Sequence, residues 1–343
     1  CWQPVRGPFE SATKSPSKSL CKSPSKKLAI TAEATHYTDQ RTAEGSNPMT
    51  APKALTQAQV ETYRRDGYLL AENAVTPDQL AGLVDELRGW ADESRAHTDP
   101  FGPETVDGRA RFDMGAEHTA ERPALRRANN PSEISDTYFE VMSNSRMTDM
   151  VADLVGPDVK HHHCKINVKM PASDTFVAHH QDFAFTPHTN DDVVTALLLL
   201  DDMDEENGCL YVVPGSHTGP MYTLFQDGAF VGRVTDEVEA EMQAGAVPIT
   251  GKAGSVCLMH TRVMHGSGPN TSADRYRGLY ICVYTAADAV PIARNPMPNR
   301  NEGLIVRGQP APRARMIDIE VELPQQPKSA SFFTVQGQNS ATG

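Results

Sequence analysis

The sequence predicts a mainly β fold, a sandwich or barrel with helices flanking its N-terminal side. Two observations carry that reading. After Gly156 the chain breaks into short β-like runs separated by turn residues, without helices alternating between them, which excludes a doubly wound parallel sheet. Before Gly156 the apolar residues recur at helical spacing instead. The 343 residues, 39% of them hydrophobic, suffice for one substantial core or two modest ones.

Taken in order, residues 1–48 hold two KSPSK repeats, Lys14–Lys18 and Lys22–Lys26, and few large apolar side chains. Such a stretch cannot repay its ordering entropy and is expected to be a disordered basic leader. Its Ser-rich, basic composition fits a cleaved targeting peptide; an upstream stretch before a natural start at Met49 is the plainer alternative. Thr56-Gln57-Ala58-Gln59 is a capping box and Gly67 a stop, so a helix is expected between them. A second opens at Thr76-Pro77 and carries the stripe Leu80, Leu83, Val84, Leu87 and Trp90. Residues 92–130 are polar and aperiodic and predict long loops, and 133–154 predict a further helical region stopped by Gly156-Pro157. Expected strands are Cys164–Met170, Val193–Leu200, Cys209–Val213, Ser255–Met259, Gly278–Tyr284 and Met316–Leu323. The expected organisation is therefore a leader, 1–48, and one domain, 49–343, made of a helical part (49–155), a β core (156–292) and a C-terminal extension (293–343).

Charge and cysteine usage narrow the function. The net charge is −12 and the leader carries +3, leaving −15 on residues 49–343. A body that acidic argues against a nucleic-acid partner. No apolar run approaches the ~18 residues of a membrane span, and six scattered cysteines without a C-x-x-C pair read as free thiols. A cytoplasmic location, with no membrane partner, is the expectation.

Phosphate-loop, zincin, nucleophile-elbow and dinucleotide motifs are missing from the sequence, which turns attention to the histidines. In His180-Gln181-Asp182 an extended backbone would put the imidazole and the carboxylate on one side and Gln181 on the other. Two histidines and one carboxylate leave coordination positions open and suit non-haem Fe(II). His265, entering the turn Gly266-Ser267-Gly268-Pro269-Asn270, is a candidate second imidazole, and Arg277 opens a later strand. Between them lies Asn207-Gly208-Cys209-Leu210-Tyr211-Val212-Val213-Pro214-Gly215-Ser216-His217.

These motifs, in this order, resemble the phytanoyl-CoA dioxygenase family over about residues 160–292, and more loosely from Leu55 onward. The resemblance implies a double-stranded β-helix (jelly roll, cupin-like) and an oxygenase using Fe(II), 2-oxoglutarate and O2, with succinate and CO2 as co-products. It implies His180, Asp182 and His265 as iron ligands, Arg277 as partner of the distal carboxylate of 2-oxoglutarate, and Ser267 and Lys169 beside that cosubstrate. Arg277 stands one residue beyond the family's usual offset, where Tyr276 falls, so Arg275 is a rival. An intact Asp182 argues for hydroxylation, since related halogenases carry a small residue there, although desaturation and ring closure use the same ligands. The expected substrate is a small organic molecule; the acidic body offers no obvious basic patch for a CoA phosphate, though Arg122, Arg126 and Arg127 could form one locally. The competing readings are a cupin-like metal-dependent hydrolase or isomerase, which would have no use for Arg277, and a non-catalytic binding module.

Parity sorts the neighbours. His179 would point away from the metal, and Lys165, Asn167 and Lys169 share one face of their strand, joined by His163. His260 is expected as a wall or supporting residue of the site, the His161–His163 run as no metal site, and Phe183 and Phe185 as pocket wall or core. Oligomeric state is not legible.

Overall fold

The computed structural model describes residues 53–325; the leader 1–48, with Cys1 and Cys21, lies outside the described residues. Helices α1 (Gln57–Asp66) and α2 (Pro77–Glu93) start at Thr56 and Thr76, each completing a capping box with a glutamine three residues on. Each box satisfies donors that a helix start leaves without partners. Gly67 closes α1 in the left-handed region, at φ 82°. The helical region expected over 133–154 is two helices, α3 (Asp136–Asn144) and α4 (Arg146–Val155). They part at Ser145, whose hydroxyl donates to the Val141 carbonyl at 2.6 Å and competes with the helical ladder.

The β core is two antiparallel sheets. The larger runs in the order β1 (Tyr68–Ala71), β11 (Val256–His260), β6 (Val193–Leu199), β13 (Arg277–Ala286), β4 (Val159–Lys169), β3 (Leu125–Asn129) and β2 (Phe112–Met114), with β14 (Ile305–Arg307) also on β4. The smaller runs β10 (Val247–Ile249), β7 (Leu210–Val212), β12 (His265–Ser267) and β5 (Val177–His180). A hairpin, β8 (Phe225–Gln226) with β9 (Ala229–Phe230), and helix α5 (Asp236–Gly245) fill the connection from β7 to β10.

Alternation along the central strands divides the interior. Ile166, Ala196, Leu198, Tyr280 and Cys282 face α1 to α4 in one apolar cluster. Leu197, Leu199, Leu279 and Ile281 face the smaller sheet and meet Leu210, Val212 and Ile249 in another. Both faces are covered, so β6 and β13 are buried along their whole length and read as continuous apolar runs. The Tyr138, Tyr280 and Tyr284 hydroxyls donate to the carbonyls of Leu83, Tyr138 and Met142 at 2.7–2.9 Å, which pins the helices to the sheet. Among the described residues no helix is long and apolar enough to cross a membrane.

Three expectations are corrected. Residues 92–130 are not only loops: they contain β2 and β3, hidden because the inward residues of β3, Arg127 and Asn129, are polar and line a cavity. Met316–Leu323 is not a strand. Ile319 and Val321 do lie on Phe183, Val193 and Val283, but the segment joins no ladder, and the Ile317 amide donating to Thr189 at 3.0 Å is an isolated contact. Alternation therefore marked a half-buried extended segment rather than a paired one. Helix α5, with Thr235 accepting at its N-cap, was not anticipated among the strands.

Candidate metal centre and cosubstrate pocket

The inner face of the larger sheet and the strands of the smaller one enclose a cavity of about 370 Å³, lined by His180, Asp182, His265, Lys169, Ser267 and Arg277 together. His180 ends β5 and His265 begins β12, and the two are direct partners across the antiparallel pair. Their rings lie 4.2 Å apart. Asp182 follows from a single turn after β5, its Oδ1 3.5 Å from His180 Nε2 and 3.8 Å from His265 Nε2. The three donor atoms all fall within 4.8 Å of one another. Gln181 between them turns away, its amide held by the Pro220 and Arg262 carbonyls.

The hydrogen bonds fix which ring and carboxylate atoms face one another. His180 Nδ1 donates to the Ala178 carbonyl at 2.9 Å and His265 Nδ1 to the Val263 carbonyl at 3.1 Å, which turns each Nε2 toward Asp182. Thr195 Oγ1 donates to Asp182 Oδ2 at 2.7 Å, leaving Oδ1 toward the imidazoles. Burial, and then His180, push the His265 imidazole down to about 4. Burial alone would raise the Asp182 carboxyl, but His265 and His180 outweigh it and hold it well below the usual carboxylate range. Two imidazoles and one carboxylate, their ligand atoms converging, are a donor set that fits a divalent iron ion with open positions.

Beyond the triad the cavity becomes cationic. Lys169 and Arg277 are direct partners across β4 and β13. The Lys169 ammonium donates to Ser267 Oγ at 2.7 Å and to the Gly268 carbonyl, and Arg277 Nε donates to the Gly208 carbonyl at 3.1 Å. Both are almost fully buried, and among the described residues no carboxylate pairs with either. Burial pushes Arg277 down to about 10, and burial with Arg277 nearby pushes Lys169 well below its usual value. Two desolvated cations of this kind are stabilised by an arriving anion. The rival Arg275 sits on the outside, held by Asp204 and Glu206 at 2.6 Å.

The remaining candidates fall into place by strand parity. His163, Lys165 and Asn167 line the cavity with Lys169. His179 faces α5 and bonds Glu239 at 2.7 Å. Phe185 stands edge-on to the His180 ring at 5.7 Å, whereas Phe183 belongs to the core. His260 is a correction: it does not line the cavity but lies beside Tyr63 and His217, against α1. The arginine cluster also disperses, because alternation separates its members. Arg126 pairs with Asp113 at 2.8 Å, Arg122 reaches the Pro171 carbonyl on the surface, and Arg127 is buried in the cavity wall. Sequence reading passed over Thr195, although a lone hydroxyl in the apolar run Val193–Leu199 was its signal.

The family model "Phytanoyl-CoA dioxygenase (PhyH)" matches residues 63–278. The chain belongs to the phytanoyl-CoA dioxygenase family. Like other members it is an iron- and 2-oxoglutarate-dependent dioxygenase on a double-stranded β-helix. Its relatives include a probable alpha-ketoglutarate-dependent hypophosphite dioxygenase of Stutzerimonas stutzeri, 30% identical over 78% of this chain and 91% of that protein. An L-proline trans-4-hydroxylase of Streptomyces griseoviridis is 26% identical over 71% of this chain and 91% of its own length. The solved structure of EctD from S. alaskensis shares the fold, with a TM-score of 0.56 at 22% identity over 79% of this chain and 91% of that one.

Proposed function

We propose that this dioxygenase hydroxylates a small organic molecule, with His180, Asp182 and His265 holding Fe(II) and Arg277 receiving the distal carboxylate of 2-oxoglutarate. Lys169 and Ser267 flank that carboxylate. The observation that carries the reading is the meeting, in one cavity, of three metal-ligating side chains whose ligand atoms lie within 4.8 Å of one another and two buried cations without a carboxylate partner. When bound, iron supplies with O2 the oxidising power that couples decarboxylation of 2-oxoglutarate, to succinate and CO2, to oxygen insertion into a substrate C–H bond.

The chain's own residues set the stage for that chemistry. The Ala178 and Val263 carbonyls hold each imidazole in the tautomer that presents Nε2. Thr195 orients the Asp182 carboxylate. The Gly208 carbonyl aims the Arg277 guanidinium along the cavity, and the apolar side chains Leu197, Leu279 and Ile281 keep water from its wall. A volume of about 370 Å³ suits 2-oxoglutarate with a small second molecule rather than an acyl-CoA. The acidic body supports a protein without a nucleic-acid partner, and the buried free thiols Cys164, Cys209, Cys257 and Cys282 support a reducing, cytoplasmic compartment.

The test is succinate formation against 2-oxoglutarate concentration. Arg277→Gln is expected to raise KM for 2-oxoglutarate by roughly 10–100-fold, the scale of a lost charge-assisted pair, while Arg275→Gln leaves it unchanged. Equal KM values in the two variants would remove Arg277 from the role.

A further inference from the structure

A second cationic group enters the same cavity from the middle of β4. Lys165 lines the cavity four residues before Lys169, which sets the two about 13 Å apart along one strand. Among the described residues the Lys165 ammonium makes no hydrogen bond or ion pair. Arg127, buried, stands beside it on β3, its Nε donating to Asn167 Oδ1 at 3.1 Å. That bond occupies the Asn167 oxygen and leaves its amide NH2 as a donor.

The acids near this end are already committed. Asp113 takes Arg126 at 2.8 Å, Asp107 pairs with Arg109, and Asp182 belongs to the triad. Burial, with Arg127 adding to it, pushes the Lys165 ammonium down to about 8, with Asp182 acting the other way. An unpartnered cation, a second guanidinium and an amide donor thus converge on space next to the triad and away from the Lys169–Arg277 end. We propose that Lys165, with Arg127 and Asn167, forms an anion subsite for the primary substrate, which therefore carries a carboxylate or phosphorus-oxyanion group held beside the reacting position. This inference deepens the dioxygenase reading and rests on it for the word substrate; the anion subsite itself does not.

The 343-residue chain is titrated with sodium phosphite, followed by 31P line broadening, and with acetate, followed by proton saturation transfer; acetamide is the uncharged control. Binding of phosphite or acetate is expected to weaken at least tenfold in Lys165→Met, to persist in Lys165→Arg, and to persist within about twofold in Arg277→Gln. Preference for phosphite or for acetate assigns the oxyanion class. The subsite is overturned if Lys165→Met binds as wild type does, if only Arg277→Gln loses binding, or if acetamide binds as well as acetate. Thermal melts of each variant separate lost binding from lost fold, and Lys165→Arg keeps the charge if Lys165→Met does not fold. Succinate formation by the wild type is measured alongside. Anion binding without succinate would sink the dioxygenase reading alone, and succinate without Lys165-dependent anion binding would sink the subsite alone.

Discussion

Thr195 shows how much of the proposed metal centre would rest on a residue that is not itself a ligand. Its hydroxyl holds Asp182 Oδ2 at 2.7 Å, and without it the carboxylate is free to rotate in a buried pocket with one oxygen unpaired. Thr195→Val is nearly isosteric, and supporting bonds of this kind are worth about 10–100-fold in metal affinity. Fe(II) affinity measured by chelator competition is therefore expected to fall by about that factor in Thr195→Val, with the fold retained by circular dichroism. Unchanged affinity would mean that Asp182 is oriented by something else. At this scale the H-x-D pair and His265 were legible through the order of the motifs and the resemblance that order carries, and Lys169 through that resemblance alone. Thr195 was missed because threonine is at home in any strand, and the preference for Arg277 over Arg275 rested on the strand that follows it, to which the structure adds burial.

The pairing of β5 with β12 is the element on which the triad depends, and a glycine allows it. A Cβ at Gly266 would lie 2.7 Å from the Val177 carbonyl oxygen and 3.4 Å from the His179 nitrogen. Gly266→Ala must push β12 away from β5 and His265 away from His180. Succinate formation is expected to drop roughly 100-fold, the cost of about an ångström of misplacement, with about 1–3 kcal/mol of stability lost to overpacking. Wild-type turnover in this variant would show that the strand spacing is not critical. Elements were legible where local signals and tertiary context agree, as in the capped α1 and α2 and in the apolar β6, β11 and β13. They were not legible where the cavity reverses the usual pattern. Strand β3 is polar on its inner side because that side faces ligand space, and residues 316–323 alternate without finding a partner strand.

For the molecule as a whole, the buried histidines set an acid limit. His162 and His163 are pushed well below their usual value by burial and by neighbouring rings, and burial pushes His188 down to about 4. A histidine whose folded-state value lies below its unfolded one, about 6.5, is protonated first in the unfolded chain. Its contribution is whole above pH 6.5 and is lost as pH falls toward 4. For His188 alone that amounts to about 3 kcal/mol by pH 4. Urea unfolding between pH 7 and pH 4 is expected to show a steep loss of stability that His188→Gln makes shallower; equal slopes would contradict the burial argument. The sheets, the helical cover and the order of the motifs could be anticipated in outline, whereas the shape of the cavity could not, because it depends on which strands become neighbours.

The central claim, that His180, Asp182 and His265 hold iron next to a 2-oxoglutarate site, meets its most direct test in anaerobic absorbance. Fe(II) and then 2-oxoglutarate are added to the purified protein in the absence of O2. A visible charge-transfer band that needs both additions and disappears in His180→Ala is the expected result. Metal binding without such a band, or a band that survives His180→Ala, would contradict the account.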